Sequence, residues 1–121
     1  MYEIEVLIPE VAFKDSRGTI KNLLQQTAKN IAIIWSADQA VRGNHVHQKG
    51  GHWEYVISGV ITIHRVVDGK PISRSISSGD MVYTPPGVPH ALSSEGLSAI
   101  LHILEVPLEE HDKDTEKVKV I

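Results

Sequence analysis

The chain has 121 residues, 41% hydrophobic and 22% charged, with 12 Lys and Arg against 15 Asp and Glu for a net charge of −3. That length is expected to form one domain, residues 1–121, around a single core, and the composition excludes wholesale disorder. The charge offers no basic footprint for nucleic acid, no apolar run approaches the ~20 residues of a membrane span, and Met1-Tyr2-Glu3-Ile4-Glu5 lacks the regions of a signal peptide. With no cysteine there is neither disulfide nor thiolate site, which fits an expected cytoplasmic location.

In chain order, short apolar or alternating runs predict strands near Ile4–Leu7, Thr19–Leu24, Ile31–Ser36, Arg42–His47, His52–Ser58, Val60–Val67, Ile72–Ile76, Met81–Thr84, His90–Ser93 and Leu97–Glu105. Turn chemistry separates them, at Asp15-Ser16-Arg17-Gly18, Gly50-Gly51, Asp68-Gly69, Ser77-Ser78-Gly79-Asp80 and Glu95-Gly96. Asp68-Gly69 between two alternating runs is a strong hairpin signal. Apolar residues hold a helical period only weakly, at Ile20–Ala28. The expectation is an all-β sandwich or barrel. The charged tail 105–121 ends in Val118-Lys119-Val120-Ile121, whose alternation suits a terminal edge strand.

Chemistry is concentrated in histidines. Residues two apart on a strand share a face, so His45 and His47 present both imidazoles to one side. The turn Gln48–Gly51 brings His52 beside them, and Pro85-Pro86-Gly87-Val88-Pro89 leads the chain back to His90. Neutral imidazole is the commonest protein ligand for transition metals. His45, His47, His52 and His90 are therefore expected to hold one divalent ion, with Mn, Fe, Co, Ni, Cu and Zn all suited to nitrogen donors. Glu54 lies two residues after His52, hence on the same face. It is read either as a base or acceptor beside a histidine, or as a charge reaching water at the barrel mouth. His64 and His102 are expected as satisfied strand residues, with the cavity floor as an alternative, and His111 as a solvated tail residue. Trp53 and Tyr55 face away from His52 and Glu54, and Trp35 and Tyr83 are candidates to line a pocket.

These residues resemble the two signature motifs of the cupin superfamily, the small jelly-roll barrels. His45-Val46-His47, four residues, His52, six residues and Gly59 follow the first motif, with histidine in place of the family's glutamate. Gly79, Pro85, Gly87 and His90 follow the second, with Ser94 in place of asparagine. The glycine that members often carry six residues before the first histidine is Gln39 here. The resemblance implies a cupin jelly-roll barrel (double-stranded β-helix). Exchanging glutamate for histidine removes a negative charge, so a bound ion would keep more Lewis acidity.

A longer, looser resemblance joins Phe13-x-Asp15-x-Arg17-Gly18, Arg42-Gly43-Asn44-His45-Val46-His47 and Asp114-Thr115. Together they are similar to the sugar-nucleotide cupins of polysaccharide biosynthesis, which include 3,4-ketoisomerases, 3,5-epimerases and the cupin domain of some capsular-sugar reductases. In that group the barrel usually holds no metal and a histidine shuttles protons beside a ketone. The resemblance implies His45 or His47 as base, with Arg17 and Arg42 approaching a diphosphate.

Three classes stay open. One is a metal-dependent enzyme, a dioxygenase or isomerase/lyase acting on a small polar or carbonyl substrate, with Glu54 as its catalytic base. The second is a metal-independent sugar-nucleotide isomerase or epimerase, and the third a non-catalytic small-ligand or sugar-binding module. A homodimer is expected, since a barrel must hide its edges.

Overall fold

The computed structural model describes residues 3–121; Met1 and Tyr2 lie outside the described residues. Two long antiparallel strands organise the molecule, β5 (His52–Val67) and β8 (His90–Leu104), paired along nearly their whole length from His52↔Leu104 to Arg65↔His90. The first part of β5 also pairs β7 (Met81–Thr84), and its second part pairs β6 (Lys70–Ser77) through the Asp68-Gly69 turn. On its other edge, β8 pairs β3 (Asn30–Ser36) through one half and β4 (Val41–Val46) through the other. A two-residue strand β9 (Glu116–Lys117) closes onto β4. Apart from this sheet, β1 (Glu10–Asp15) and β2 (Gly18–Asn22) pair, among the described residues, only with each other. The all-β jelly-roll expected from the sequence is thus the fold of the chain.

Four expectations need correction. Ile4–Leu7 is no strand; Leu7 makes a single bridge to Met81, while Ile4 and Val6 pack into the core. The first strand is instead Glu10–Asp15, whose apolar pair Val11 and Phe13 sits among charges. The predicted pairs His52–Ser58 with Val60–Val67, and His90–Ser93 with Leu97–Glu105, are each one continuous bent strand. The bend explains why they look separate. Gly59 takes φ 84°, and a Cβ there would stand 2.3 Å from the Leu97 carbonyl oxygen, so the glycine lets the two strands cross closely. Finally, the tail holds a short helix, α1 (Leu108–Lys113), rather than only an acidic run, and Val118–Ile121 is outside any strand.

Strand parity sorts the core. Val56, Ile61, Ile63, Ile76, Val82 and Ile100 fill the barrel interior with Ile4. Each such burial is worth roughly 1.5–3 kcal/mol. On the opposite face of β5, Trp53 packs with Met81 and Ile103 beneath Leu23, Leu24 and Ala28. Trp53 and Tyr55 do face away from Glu54, as expected. Trp35 is corrected: it points outward, 70% exposed, with Ile31 and Ile33 on the same face of β3. Tyr83 packs on Trp53 and donates to Glu105 at 2.5 Å, which leaves it out of the barrel cavity. Gln39, which replaces a glycine of the motif, adopts φ 65°, a conformation costly for a side chain with a Cβ.

Candidate functional site at the barrel mouth

The interior parity that buries Val56 and Ile100 also brings in His52, Glu54 and His102, one turn of the pleat higher. His90 enters from the start of β8 opposite Arg65 and beside His45. A bulge between Gly43 and His45 carries Asn44 into the left-handed region at φ 56°, and this irregularity aims the His45–His47 segment at the mouth. Gly43 is needed there: its φ is 91°, and a Cβ would meet Ala91 Cα and the His90 carbonyl at 3.0 Å.

Hydrogen bonds behind the rings decide which nitrogens face the cavity. His90 Nδ1 lies 2.9 Å from the Val88 carbonyl, which can only accept, so Nδ1 carries the proton and Nε2 the lone pair. The Thr115 hydroxyl donates to the His111 carbonyl at 2.9 Å; its remaining lone pair faces His47 Nδ1 at 3.3 Å, which fixes the same tautomer. His47 Nε2 is then a buried acceptor with no partner among the described residues. His52 Nδ1 meets Glu54 Oε2 at 2.5 Å, and His52 Nε2 meets His90 Nε2 at 3.1 Å. Two lone pairs cannot face each other at that distance, so a hydrogen or a cation must lie between them. With Glu54 protonated, its O–H donates to His52 Nδ1 and His52 Nε2–H donates to His90 Nε2, forming one continuous chain.

Burial sets the protonation states. It pushes the Glu54 carboxyl up to about 7 against the opposing pull of His102 and Arg65. Burial, then His111, pushes His47 and His52 down to about 3; burial, then His52, pushes His90 down to about 2; burial brings His102 down to about 4. Although Glu54 and His52 have salt-bridge geometry, both are driven toward their neutral forms, so we read the contact as a hydrogen bond between neutral groups rather than an ion pair.

A cavity of about 100 Å³ opens above these groups, lined by Arg42, His45, His52, Glu54, His90 and His102 over an apolar floor that includes Ile34, Ile63 and Leu92. Of the residues singled out from sequence, His45, His52, Glu54, His90 and Arg42 meet here. Arg42 is held by Ser36 Oγ at 2.9 Å and the Trp35 carbonyl at 3.0 Å. His47 stands behind His45 and is 3% exposed. Arg17 sits on the β1–β2 turn, exposed and ion-paired with Asp15 at 2.7 Å, outside the cavity. Of the four histidines expected to share an ion, His45, His47 and His90 form one group of ligand atoms within 4.8 Å of one another; His52 forms another with Glu54 and His102, and its Nε2 stands 3.1 Å from His90 Nε2.

One residue was missed, and another took the second of its two expected places. His102 lines the cavity, the alternative to a satisfied strand residue, 3.8 Å from Glu54 Oε2, and alternates with Ile100 and Leu104 on an inward strand face. His111, expected in solvent, is corrected: it is buried and stacks on His47 with ring centroids 3.8 Å apart. Pro107 followed by acidic Glu109 and Glu110 and basic Lys113 was a readable helix signature.

A jelly-roll with histidines converging at its mouth defines a class of small β-barrels. Residues 36–107 match the family described as Cupin domain, over half of the chain, and the protein belongs to that family. No curated protein sequence matches it. Among solved structures, it is similar to a variant of the 3,4-ketoisomerase QdtA from Thermoanaerobacterium thermosaccharolyticum in complex with TDP-4-keto-6-deoxyglucose, with 16% identity, a TM-score of 0.78, and coverage of 97% of this chain and 88% of that one. It is also similar to dTDP-4-dehydrorhamnose 3,5-epimerase from Elizabethkingia anophelis (15% identity, TM-score 0.78, 93% and 73% covered). The capsular polysaccharide assembling protein CapF from Staphylococcus aureus matches at 19% identity and TM-score 0.69 over 99% of this chain but 34% of its own. At such identities these likenesses concern the fold. Among the described residues, no helix is long and apolar enough to cross a membrane.

Proposed function

We propose that the protein is an isomerase or epimerase of nucleotide-linked keto sugars that moves a proton on and off a carbon beside a carbonyl. The observation that carries this reading is the Glu54–His52–His90 chain beneath a cavity with an apolar floor, with burial pushing the Glu54 carboxyl up to about 7. The resemblance to ketoisomerases and epimerases over nearly the whole chain supports the substrate class. The cavity has room for the reacting end of a sugar, which leaves diphosphate and nucleoside outside; Arg42 is the guanidinium at the mouth suited to meet them. We assign Arg17 no contact within the cavity.

In the isomerisation, the base takes the proton from the carbinol carbon next to the carbonyl. That C–H electron pair becomes the C=C bond of an enediol as the carbonyl oxygen gains a proton. The neighbouring hydroxyl then loses its proton, its C=O forms, and the former carbonyl carbon takes a proton from the protein. Atoms and electrons balance without an external oxidant. His45 is the imidazole of the His-x-His pair that lines the cavity, and Glu54 supplies the buried acid or base.

A metal-dependent reading has its own support in His45, His47 and His90, whose nitrogens converge as neutral donors, with His47 Nε2 unpartnered. These residues would hold a divalent transition ion, which supplies Lewis acidity when bound. The experiment is incubation with TDP-4-keto-6-deoxyglucose in D₂O, with and without chelator, followed by NMR. Deuterium entering beside the carbonyl at the same rate with chelator is the expected result. Loss of exchange with chelator would favour the metal reading, and no exchange on either arm would overturn both forms of the sugar proposal.

We infer further that the protein acts as a homodimer. The hairpin β1–β2 is fully exposed yet carries Val11, Phe13 and Ile20, and the outer face of β3 presents Ile31, Ile33 and Trp35. An isolated two-stranded hairpin is marginal in water. With Val41 and Leu97, these side chains offer on the order of 1,000 Å² of apolar surface, against the ~800 Å² per partner of a standard interface. A second copy of this chain is the occupant this surface suits.

A further inference from the structure

The C-terminal segment touches the His-x-His strand at the left-handed residue of its bulge, along its last residues and at the turn that follows it. β9 pairs His45 with Lys117 and Val46 with Glu116. The Asn44 carbonyl accepts from Val118 N–H at 2.9 Å, and Asn44 Oδ1 accepts from Val120 and Ile121 N–H at 2.9 and 3.0 Å, so the tail holds the left-handed residue of the bulge. The Asp114 carboxylate accepts from Gln48 and Lys49 N–H at 2.8 and 2.7 Å, capping the turn that follows His47. Thr115 and His111 complete the set at the His47 ring itself.

We propose that residues 111–121 are a brace whose task is to orient His47, with Thr115 fixing its tautomer and His111 its ring plane. The chemistry is forced by hydrogen-bond polarity. Thr115 has one hydrogen, committed to the His111 carbonyl, so toward His47 it can only accept. The proton stays on Nδ1, and the Nε2 lone pair is delivered to the group formed with His45 and His90. The stacked His111 ring, 3.8 Å from that of His47, opposes rotation about the last side-chain bond, the movement that would put Cδ2 and Cε1 where Nδ1 and Nε2 now stand. Thr115 and His111 are positioning residues, and their role holds whether His47 Nε2 meets a proton, a cation or a substrate hydroxyl. The inference therefore goes beyond the sugar-isomerase reading and does not depend on it.

The test is the ¹⁵N–¹H spectrum of the histidine rings in the full-length protein at pH 8. Wild-type His47 is expected as the Nδ1–H tautomer. Thr115→Val should shift the tautomer ratio toward Nε2–H by roughly tenfold, the scale of one lost hydrogen bond, and Thr115→Ser should restore it. His111→Phe should keep the wild-type signature, and His111→Ala should lose it. The His64 ring, bonded to Ser93 Oγ on another strand, should stay unchanged throughout and report that the barrel is intact. An Nε2–H tautomer in the wild type would overturn the proposal without any variant needing to fold, as would an unchanged His47 signal in Thr115→Val. A protein inactive on keto sugars but with this tautomer pattern would overturn the sugar reading and leave the brace standing.

Discussion

The barrel mouth and the outer face formed by β1–β2 and β3 break the same rule in opposite directions. At the mouth, Glu54, His47, His52 and His90 are all under a tenth exposed, where apolar side chains would be cheaper. On the outer face, Phe13, Ile20, Ile31 and Trp35 are more than half exposed, where polar side chains would be cheaper. Buried polar groups and exposed apolar groups are the informative exceptions in a soluble fold. At the mouth the cost is offset by hydrogen bonds that leave a few nitrogens deliberately short of partners. On the outer face no contact among the described residues offsets it. The first region suits the chemistry proposed above and the second the proposed contact between two copies.

Acid separates the two most sharply. The pKa values of His47, His52, His90 and His102 are depressed in the fold, so their contribution to stability is fully present above about 6.5, the unfolded value, and is lost as pH falls toward 4 to 2. Each costs about 1.4 kcal/mol per pH unit over its window. Glu54 runs the other way: its pKa is raised, so its contribution is complete below about 4.5 and lost as pH rises through about 7, offsetting one histidine in between. Chemical denaturation between pH 7 and 5 should show stability falling steeply, with a slope of two or more protons. A flat profile would mean that the mouth histidines are protonated or exposed. Substitutions on the outer face should leave this slope alone.

Turnover comes next. Glu54→Gln should lower proton exchange on a keto sugar by roughly 100-fold or more while circular dichroism stays native. A loss below tenfold would remove Glu54 from the chemistry and leave it as a support for His52. Smaller still is the effect of Trp35→Glu or Ile33→Glu, which should convert a dimer to a monomer by light scattering at micromolar concentration, since an interface cannot bury an unpaired charge at its centre. A wild-type protein already monomeric would sink the dimer. The smallest effect is local: Gln39→Gly should raise stability by at most ~1 kcal/mol, because φ 65° suits glycine better.

Much of this was readable before folding. Period-two alternation and turn residues determined the class, and the spacing of His45, His47, Gly59, Gly79, Gly87 and His90 determined the family and brought His45 and His90 to the cavity. The same alternation set Trp53 and Tyr55 against Glu54. Other parts were not readable, because they depend on which strands become neighbours. His102 joins Glu54 only through the β5–β8 register, in which the two stand directly opposite. His111 reaches His47 only because a six-residue helix folds the tail back across the mouth. Trp35 looked like a pocket residue and faces out, since parity alone does not say which side of β3 is the interior.

Residue types and local spacing determined by themselves that this is a small β-barrel with imidazoles on an inward face, since backbone geometry and side-chain alternation are short-range properties. Tertiary structure alone decided which nitrogen carries the proton in His47, His52 and His90. That choice is made by the Val88 carbonyl, Glu54 and Thr115, the last of these 68 residues from the ring it orients. A hydrogen bond across such a distance is set by packing, and packing is a property of the whole chain.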